Sequence, residues 1–274
     1  MEGDKKVNAL ETLKTYFGYD TFREGQEKIV EAILANRDVL AIMPTGAGKS
    51  ICYQIPALML PGITLVISPL ISLMQDQVKA LNDAGIHAAF INSSLTENQI
   101  GKALYLAASG RYKIIYVAPE RLENYEFLEF ARNVEISMVT VDESHCISQW
   151  GQDFRPSYLK IVEFVKNLPK RPIVSAFTAT ATEEVKNDIL CTLSLEDPEV
   201  VITGFDRKNL YYSVENIRRK DEFIMEYIGK HPTESGIIYC ATRKNVDNLF
   251  ELLFKRGVPV TRYHAGLNNE TRKK

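Results

Sequence analysis

The segment that most constrains this chain runs from Met43 to Ser50, between a short apolar run and a helical pattern. Val39 to Ile42 is the apolar run, and helical spacing continues from Lys49 to about Leu58. A strand, a glycine-containing loop and a helix N-terminus in this order direct backbone N–H groups towards phosphate oxygens. The loop residues that would form this phosphate site are Pro44, Thr45, Gly46, Ala47, Gly48, Lys49 and Ser50.

Two side chains of this segment add to the backbone N–H groups. Lys49 supplies a positive charge, and the Ser50 hydroxyl can ligate Mg²⁺. The sequence therefore predicts a site for a nucleoside triphosphate such as ATP, together with Mg²⁺. Met43 stands where the general pattern has a glycine, but the rest of the pattern is intact.

Composition limits the remaining possibilities. A chain of 274 residues is long enough for one large domain or two modest ones, and we favour two. The net charge of -2 shows no overall basic bias, so a nucleic-acid surface would have to be a local patch. The four cysteines lack C-x-x-C spacing, which disfavours a zinc site or a disulfide framework.

The cellular location is also predicted from composition. The N-terminus is charged and polar, and no stretch approaches about 18 apolar residues. We expect a soluble, intracellular protein from a reducing compartment.

The apolar patterns predict an α/β fold. Two helical stretches precede the phosphate loop, and short β-rich runs then alternate with helical patterns. The predicted strands lie near 63–68, 86–91, 113–118, 136–141 and 172–177, and the predicted helices near 69–84, 96–108, 158–168 and 182–192. Such alternation indicates a parallel sheet covered by helices on both faces, with ligands beyond the carboxyl ends of the strands.

A second part begins near residue 206, where the pattern restarts. We predict one domain over 1–206 and a smaller one over 207–274. In the smaller part we expect helices near 220–230 and 243–255, and strands at 210–215, 237–241 and 259–263.

Asp142 and Glu143 follow the apolar run from Ile136 to Val141, so two adjacent carboxylates stand at the end of a buried strand. We interpret Asp142 as a ligand of Mg²⁺ and Glu143 as the base that orients and deprotonates an attacking water. The alternative is a solvated acidic turn that caps a helix, and the nearby phosphate loop disfavours it.

Asp142-Glu143-Ser144-His145 closely resembles the Asp-Glu-Ala-His box of superfamily 2 helicases, with Ser144 in place of alanine. Further blocks resemble those of RecQ-type DNA helicases. These are Phe17-Gly18-Tyr19, Phe22-Arg23, Gly25-Gln26, Ser68 to Gln77, Cys146 to Tyr158, Thr178-Ala179-Thr180, Ser235 to Cys240 with Arg243, and Tyr263 to Leu267. The resemblance extends from about residue 9 to 267 and implies RecA-like lobes with a P-loop NTPase site.

The resemblance assigns an adenine site to the residues before the phosphate loop. The Gln26 amide matches the N6 and N7 edge of adenine, and either Tyr19 or Arg23 can stack on the purine. The family likewise implies that Thr178 and Thr180 link the nucleotide to the DNA-binding face, and that His145 relays the state of the site to them.

The segment after His145 resembles the aromatic-rich loop of the RecQ type. Trp150 and Phe154 are large apolar groups among polar neighbours, and we interpret them as stacking partners for bases, together with Gln149 and Arg155. The alternative is that Trp150 packs into the interior. His145 and Cys146 could suggest a nucleophile pair, but neighbours at a strand end rarely face one another.

The sequence thus predicts the first lobe, and part of the second, of an ATP- and Mg²⁺-dependent 3′–5′ DNA helicase of RecQ type. Such a protein would act on single-stranded or forked DNA in repair, recombination or replication. Because no later second-lobe motif follows Leu267, we expect a truncated form with weak or no turnover and an exposed strand edge near 237–241 or 259–263. The alternatives are an ATP- and DNA-binding module without helicase activity, or an RNA helicase of the same superfamily.

Overall fold

The computed structural model describes residues 2–151, 153–204 and 209–268. Contacts divide the chain into two compact units, Met1–Asp206 and Arg207–Lys274. The predicted boundary near residue 206 falls in 205–208, which lie outside the described residues.

The first unit is built on a seven-stranded parallel sheet with the strand order β3-β4-β2-β5-β6-β1-β7. The strands are β1 Val39–Ile42, β2 Ile63–Ile67, β3 Ala88–Ile91, β4 Ile114–Val117, β5 Ile136–Val141, β6 Ile173–Thr178 and β7 Glu199–Ile202. The central strands are almost continuously apolar because both of their faces are buried.

Eight helices of this unit are described, along with short 3₁₀ turns at Pro119–Arg121, Ser144–Ile147 and Pro156–Leu159. The helices are α1 Glu2–Phe17, α2 Gln26–Leu34, α3 Lys49–Met59, α4 Ile71–Asp83, α5 Glu97–Ala108, α6 Tyr125–Asn133, α7 Lys160–Lys166 and α8 Glu183–Thr192. Across the described ranges, no helix is long and apolar enough to span a bilayer.

Helices cover both faces of the sheet, as the sequence predicts. Leu40 of β1 packs in a cluster with residues of α5 to α8, such as Phe127 and Ile189. Its neighbours Val39 and Ala41 point the other way, into a cluster with residues of α2, α3 and α4. This alternation along one strand produces two apolar layers and confirms the predicted α/β architecture.

Two elements of the first unit are missing from the sequence prediction. Helix α6 begins after Asn124, whose side chain accepts a hydrogen bond from the Phe127 N–H. Strand β7 pairs only with β1 and lies at the edge of the sheet, so it is only partly buried. Its four residues are too few for a clear periodic pattern.

The second unit contains α9 Lys220–Lys230 and α10 Arg243–Lys255, close to the two predicted helices. The predicted strands at 210–215, 237–241 and 259–263 are wrong, because none of them forms a ladder with another described segment. Tyr211, Ile237 and Tyr239 are largely exposed. A β-rich run becomes a strand only when a neighbour accepts its hydrogen bonds, so the predicted exposed strand edge is not observed either.

Asp38 is a buried carboxylate at the amino end of β1 that the sequence did not single out. It accepts hydrogen bonds from both terminal nitrogens of Arg171, at 3.2 and 2.5 Å. It also accepts from the backbone N–H groups of Val174, at 2.8 Å, and Glu196, at 2.7 Å. One side chain therefore ties β1, β6 and the segment before β7 together.

We expect Asp38→Ala to lower the free energy of unfolding by about 3 kcal/mol, because it leaves a guanidinium and two backbone N–H groups without their acceptor. Urea denaturation followed by circular dichroism measures the loss. Glu129→Ala is the control, since it removes an exposed pair with Arg132 and should leave stability nearly unchanged. Equal losses in both variants would contradict the role of Asp38.

Candidate nucleotide site and the adjoining loop

Three predicted motifs meet at the carboxyl ends of β5, β6 and β1, which are adjacent in the sheet. The phosphate loop follows β1, Asp142 follows β5, and Thr178 ends β6. The Met43 N–H donates to the Thr178 carbonyl at 3.0 Å, so the start of the phosphate loop is joined to β6. The sheet therefore brings together side chains that lie about a hundred residues apart in the sequence.

The phosphate loop closes over the N-terminus of α3. Gly46 and Gly48 have φ angles of 84° and 80°, which glycine adopts readily, and Gly48 is the N-cap of α3. The Lys49 ammonium donates to the Met43 carbonyl at 3.1 Å, across the mouth of the loop. Ser50 is the second residue of α3 and is partly buried. Pro44, Thr45 and Ala47 complete the loop, with Thr45 exposed.

Gln26 contacts the phosphate loop directly. Its side-chain N–H₂ donates to the carbonyls of Ala47, at 2.9 Å, and Gly48, at 3.2 Å. Its side-chain oxygen accepts from the Arg23 N–H at 2.9 Å. The amide that the sequence assigns to adenine is thus buried and hydrogen-bonded to the protein, so a contact with adenine would require it to exchange partners.

Arg23 and Tyr19 lie beside the same loop. Arg23 donates to the Gly46 carbonyl at 2.8 Å, and its guanidinium carbon lies 5.9 Å from the centre of the Tyr19 ring. Both side chains are exposed, and either is accessible to a planar ligand. Tyr19 and Arg23 are therefore both accessible for stacking on a purine.

Gly48 is favoured by its φ angle and also by close packing. A Cβ at this position would lie 2.5 Å from the Gln26 side-chain nitrogen. A larger residue would therefore displace the end of the Gln26 side chain from the carbonyls to which it donates.

Asp142 is buried at the end of β5, and its N–H continues the ladder by donating to the Ile67 carbonyl at 2.9 Å. Burial, and then the nearby charge of Glu143, raise the pKa of the Asp142 carboxyl to about 6. Its Oδ1 accepts a hydrogen bond from the Glu143 N–H at 3.0 Å. Glu143 has a φ of 49°, a left-handed conformation that is unfavourable for a residue with a Cβ.

Ser144 follows the acid pair and is fully buried. Its hydroxyl has no hydrogen-bond partner in the part of the chain that the structure describes. Among the described residues Ser144 therefore contributes only a small side chain, which is compatible with the alanine found at this place in the Asp-Glu-Ala-His box.

His145 connects the acid pair to β6. Its Nδ1 lies 2.9 Å from the Thr178 hydroxyl and 3.3 Å from a carboxylate oxygen of Glu143. The Thr178 hydroxyl also donates to the Thr180 carbonyl at 3.1 Å. A series of close polar contacts therefore leads from Glu143 through His145 and Thr178 to the segment after β6.

Cys146 faces His145, contrary to our expectation for neighbours at a strand end. Its Sγ lies 3.8 Å from the His145 Nε2 and 3.8 Å from a carboxylate oxygen of Asp153. Burial, and then the Asp153 charge, raise the pKa of the thiol to about 12. A thiol with a raised pKa is mostly protonated near neutral pH, so a cysteine nucleophile is disfavoured for a chemical rather than a geometric reason.

Trp150 is 79% exposed, so the interpretation that it packs into the interior is wrong. Gln149 is also exposed and Phe154 is partly buried. Arg155 contacts Asp153 at 2.8 and 3.1 Å and donates to the Pro69 carbonyl at 3.3 Å. The Trp150 indole is thus exposed to solvent, while Arg155, later in the same loop, is hydrogen-bonded to the segment before α4.

The residues present fit Mg²⁺ bound with a nucleotide. Within the described ranges there is no cluster of three or more His, Cys, Asp or Glu side chains that could hold a metal alone. Mg²⁺ commonly takes one or two carboxylates and completes its shell with phosphate oxygens and water. Asp142, a buried carboxylate with a raised pKa, and Ser50 match that donor set.

A family model described as DEAD/DEAH box helicase matches residues 23–188, which is more than half of the chain. The chain belongs to the DEAD/DEAH box helicase family. The match contains the phosphate loop, the acid pair and the loop that carries Trp150.

Curated relatives agree with the predicted resemblance. An ATP-dependent DNA helicase RecQ of Bacillus subtilis is 48% identical over 97% of this chain and 45% of its own length. The RecQ helicase of Haemophilus influenzae is 43% identical over 98% of this chain and 44% of its length. A putative ATP-dependent RNA helicase of Acanthamoeba polyphaga mimivirus is 41% identical over 98% of this chain and 49% of its own length. The chain thus spans less than half the length of these relatives.

Solved structures confirm the helicase fold. The Mycobacterium smegmatis helicase Lhr, bound to ssDNA and AMP-PNP, matches with a TM-score of 0.71 and 18% identity, over 99% of this chain and 39% of that one. The Pyrococcus furiosus Hef helicase domain matches with a TM-score of 0.53 and 20% identity, over 86% of this chain and 53% of that one. The predicted RecA-like architecture is confirmed.

The raised pKa of Asp142 predicts a pH-dependent effect of Asp142→Asn, measured without Mg²⁺ or nucleotide. Above about pH 6 the folded protein holds a charged, buried carboxylate, and this cost disappears as the pH falls towards 3.8, the usual value. We expect the asparagine variant to be the more stable by up to about 3 kcal/mol at neutral pH, and the gain to vanish near pH 4.

Thermal or urea unfolding across this pH range provides the measurement. Asp83→Asn, at an exposed position at the end of α4, is the matched control and should show no such trend. An Asp142→Asn variant that is less stable than the wild type at neutral pH would contradict the assignment.

Proposed function

We propose that this chain is the ATP-binding part of a RecQ-type DNA helicase that uses ATP and Mg²⁺ to move 3′ to 5′ along DNA. The observation that carries the proposal is the position of the acid pair, in which Asp142 is buried and Glu143 partly buried. The pair shares the carboxyl edge of the sheet with the phosphate loop, and it directly precedes the loop with the exposed Trp150, residues 146–151 and 153–158, which we call the tryptophan loop. A hydrogen bond joins the acid pair to this loop, because the Tyr158 hydroxyl donates to the Asp142 carbonyl at 2.9 Å.

Lobe assignments follow from this proposal. Unit Met1–Asp206 would be the first helicase lobe, and unit Arg207–Lys274 would belong to the second lobe. Duplex unwinding, its polarity and any role in repair, recombination or replication are proposed for the whole protein of which such lobes form a part.

The phosphate loop would bind the triphosphate. Its N–H groups and the Lys49 ammonium would face the phosphate oxygens, with Lys49 leaving the Met43 carbonyl to do so. Ser50 and Asp142 would hold Mg²⁺, which when bound neutralises charge on the phosphates. Glu143 would orient and deprotonate the water, since its carboxylate stands beside Asp142 at the end of β5.

Adenine would lie against Tyr19 or Arg23, next to Gln26. The proposed contact of Gln26 with adenine is supported by its hydrogen bonds to Ala47 and Gly48, which place the amide beside the loop that would bind the phosphates. The Gln26 side chain would then contact both the adenine and the phosphate loop.

DNA would be contacted by the tryptophan loop. The exposed indole of Trp150 and the partly buried Phe154 offer stacking surfaces that suit bases of any sequence. Gln149 and Arg155 would add polar contacts. His145, Thr178 and Thr180 would connect this surface to the nucleotide, and their hydrogen bonds support that role.

Lys49→Ala and Glu143→Gln should separate binding from chemistry. We expect Lys49→Ala to weaken Mg²⁺-ATP binding as well as hydrolysis. Glu143→Gln should keep binding but slow hydrolysis by about 10²- to 10⁴-fold, because only the base is lost. Fluorescent-nucleotide binding to this chain measures the first effect, and steady-state ATP hydrolysis with ssDNA, by the whole protein of which these lobes form a part, measures the second. Glu129→Gln, on the exposed side of α6, is the control and should behave as wild type.

Two outcomes would count against this site. Undiminished hydrolysis in Lys49→Ala would remove the phosphate loop from the reaction. Loss of ATP binding in Glu143→Gln as complete as in Lys49→Ala would contradict the division of roles between Asp142 and Glu143.

Trp150→Ala should weaken ssDNA binding by about 1 to 3 kcal/mol, the usual value of one base–aromatic stack, while ATP binding without DNA is unchanged. Its exposure predicts that the fold survives. Tyr105→Ala, which removes an equally exposed ring from α5, is the matched control and should retain DNA affinity. Fluorescence anisotropy with labelled oligonucleotides tests both variants, and equal losses would contradict the assignment.

An RNA helicase remains the second candidate, because one relative is named as a putative RNA helicase. Competition between DNA and RNA oligonucleotides of the same sequence distinguishes the two functions. Preferential displacement by DNA supports the RecQ-type proposal, and preferential displacement by RNA would replace it.

A further inference from the structure

The peptide group between Asp142 and Glu143 is held at both of its polar atoms. Its N–H donates to the Asp142 Oδ1 at 3.0 Å. Its carbonyl, which belongs to Asp142, accepts a hydrogen bond from the Tyr158 hydroxyl at 2.9 Å. The plane of this peptide is therefore fixed by one contact within the acid pair and by one contact from a residue sixteen positions away.

The orientation of this peptide determines where Glu143 points. Glu143 has a left-handed φ of 49°, which is unfavourable for a residue with a Cβ and persists only when surrounding contacts enforce it. The Asp142 carbonyl lies just past the last residue of β5, where the chain leaves the ladder. Tyr158 supplies the hydrogen bond at this carbonyl and so helps to hold Glu143 in its conformation.

Tyr158 is well suited to a fixed hydrogen bond. Its side chain is fully buried in the cluster that also contains Val141, Cys146 and Ile147. Burial raises the pKa of its hydroxyl well above the usual value, so the hydroxyl remains a donor at any physiological pH.

The same residue belongs to the end of the tryptophan loop. Tyr158 lies in the 3₁₀ turn Pro156–Leu159, and its N–H donates to the Arg155 carbonyl at 2.9 Å. The Arg155 N–H in turn donates to the Cys146 carbonyl at 2.8 Å. A shift at the base of the loop would therefore move the group that holds the Asp142 carbonyl.

We propose that Tyr158 is a positioning residue that transmits the occupancy of the tryptophan loop to Glu143 through the Asp142 carbonyl. The inference rests on the proposed function, in which DNA contacts the loop and Glu143 activates water. Tyr158 itself touches neither ligand. Its effect is on the rate of hydrolysis when DNA is bound, and not on the binding of ATP or DNA.

Tyr158→Phe removes the hydroxyl and keeps the ring in the core. In the whole protein of which these lobes form a part, the expected result is a fall of about tenfold in kcat for ATP hydrolysis at saturating ssDNA, with KM for ATP and the Kd for ssDNA within about twofold of wild type. Tyr116→Phe is the matched control. Tyr116 is equally buried, and its hydroxyl accepts from Gln54 at 3.1 Å, so this variant loses a buried hydrogen bond that is not made to the acid pair.

A double variant tests the route. If Tyr158 acts through Glu143, then Tyr158→Phe should have little effect on the residual single-turnover rate in a Glu143→Gln background. The same tenfold fall in that background would show that Tyr158 acts elsewhere, and would overturn the inference.

Other outcomes are equally decisive. An unchanged kcat in Tyr158→Phe, or equal losses of kcat in Tyr158→Phe and Tyr116→Phe, would reduce Tyr158 to a packing residue. Failure of the proposed function has a different signature, because the whole protein, without any substitution, would then lack an ssDNA-stimulated ATPase that Lys49→Ala abolishes.

Discussion

The candidate site depends on the parallel hydrogen bonding of three adjacent strands, β5, β6 and β1. Parallel strands end at the same edge of a sheet, so this pairing brings the phosphate loop, the acid pair and Thr178 together at one edge. Individual side chains then refine the arrangement. The Met43 N–H joins β1 to β6, and His145 joins β5 to β6. A change in register between any two of these strands would separate groups that must act together.

Two buried aspartates at opposite ends of the sheet show how the same residue serves different purposes. Asp38 accepts hydrogen bonds from a guanidinium and two backbone N–H groups, so its charge is compensated within the protein. Asp142 accepts a hydrogen bond from the Glu143 N–H, but it is buried and lies near the Glu143 carboxylate, so the pKa of its carboxyl is raised. The first aspartate contributes to stability. The second is kept at a cost in stability, which is expected where a cation is to be bound.

The sequence predicted those parts of the structure that depend on local pattern. The phosphate loop, the acid pair and most of the sheet have short motifs or apolar runs of their own. It could not predict hydrogen bonds between side chains and segments that are distant in the sequence. Examples are the bonds of Gln26 to the loop carbonyls, of Arg171 to Asp38, and of Tyr158 to the Asp142 carbonyl. The incorrect strands of the second unit have a related cause, because residues 237–241 have β-forming side chains, but the described part of this unit offers no strand for them to pair with.

The exposure of Trp150 has a practical consequence, since it is the only tryptophan among the 274 residues. Indole fluorescence excited apart from tyrosine therefore arises from a single, solvent-facing position on one loop. Such emission is already close to that of an unfolded chain and should change little when the sheet melts. It should instead respond to whatever stacks on the indole, so the chain carries an intrinsic optical probe of its loop that is nearly insensitive to its folding.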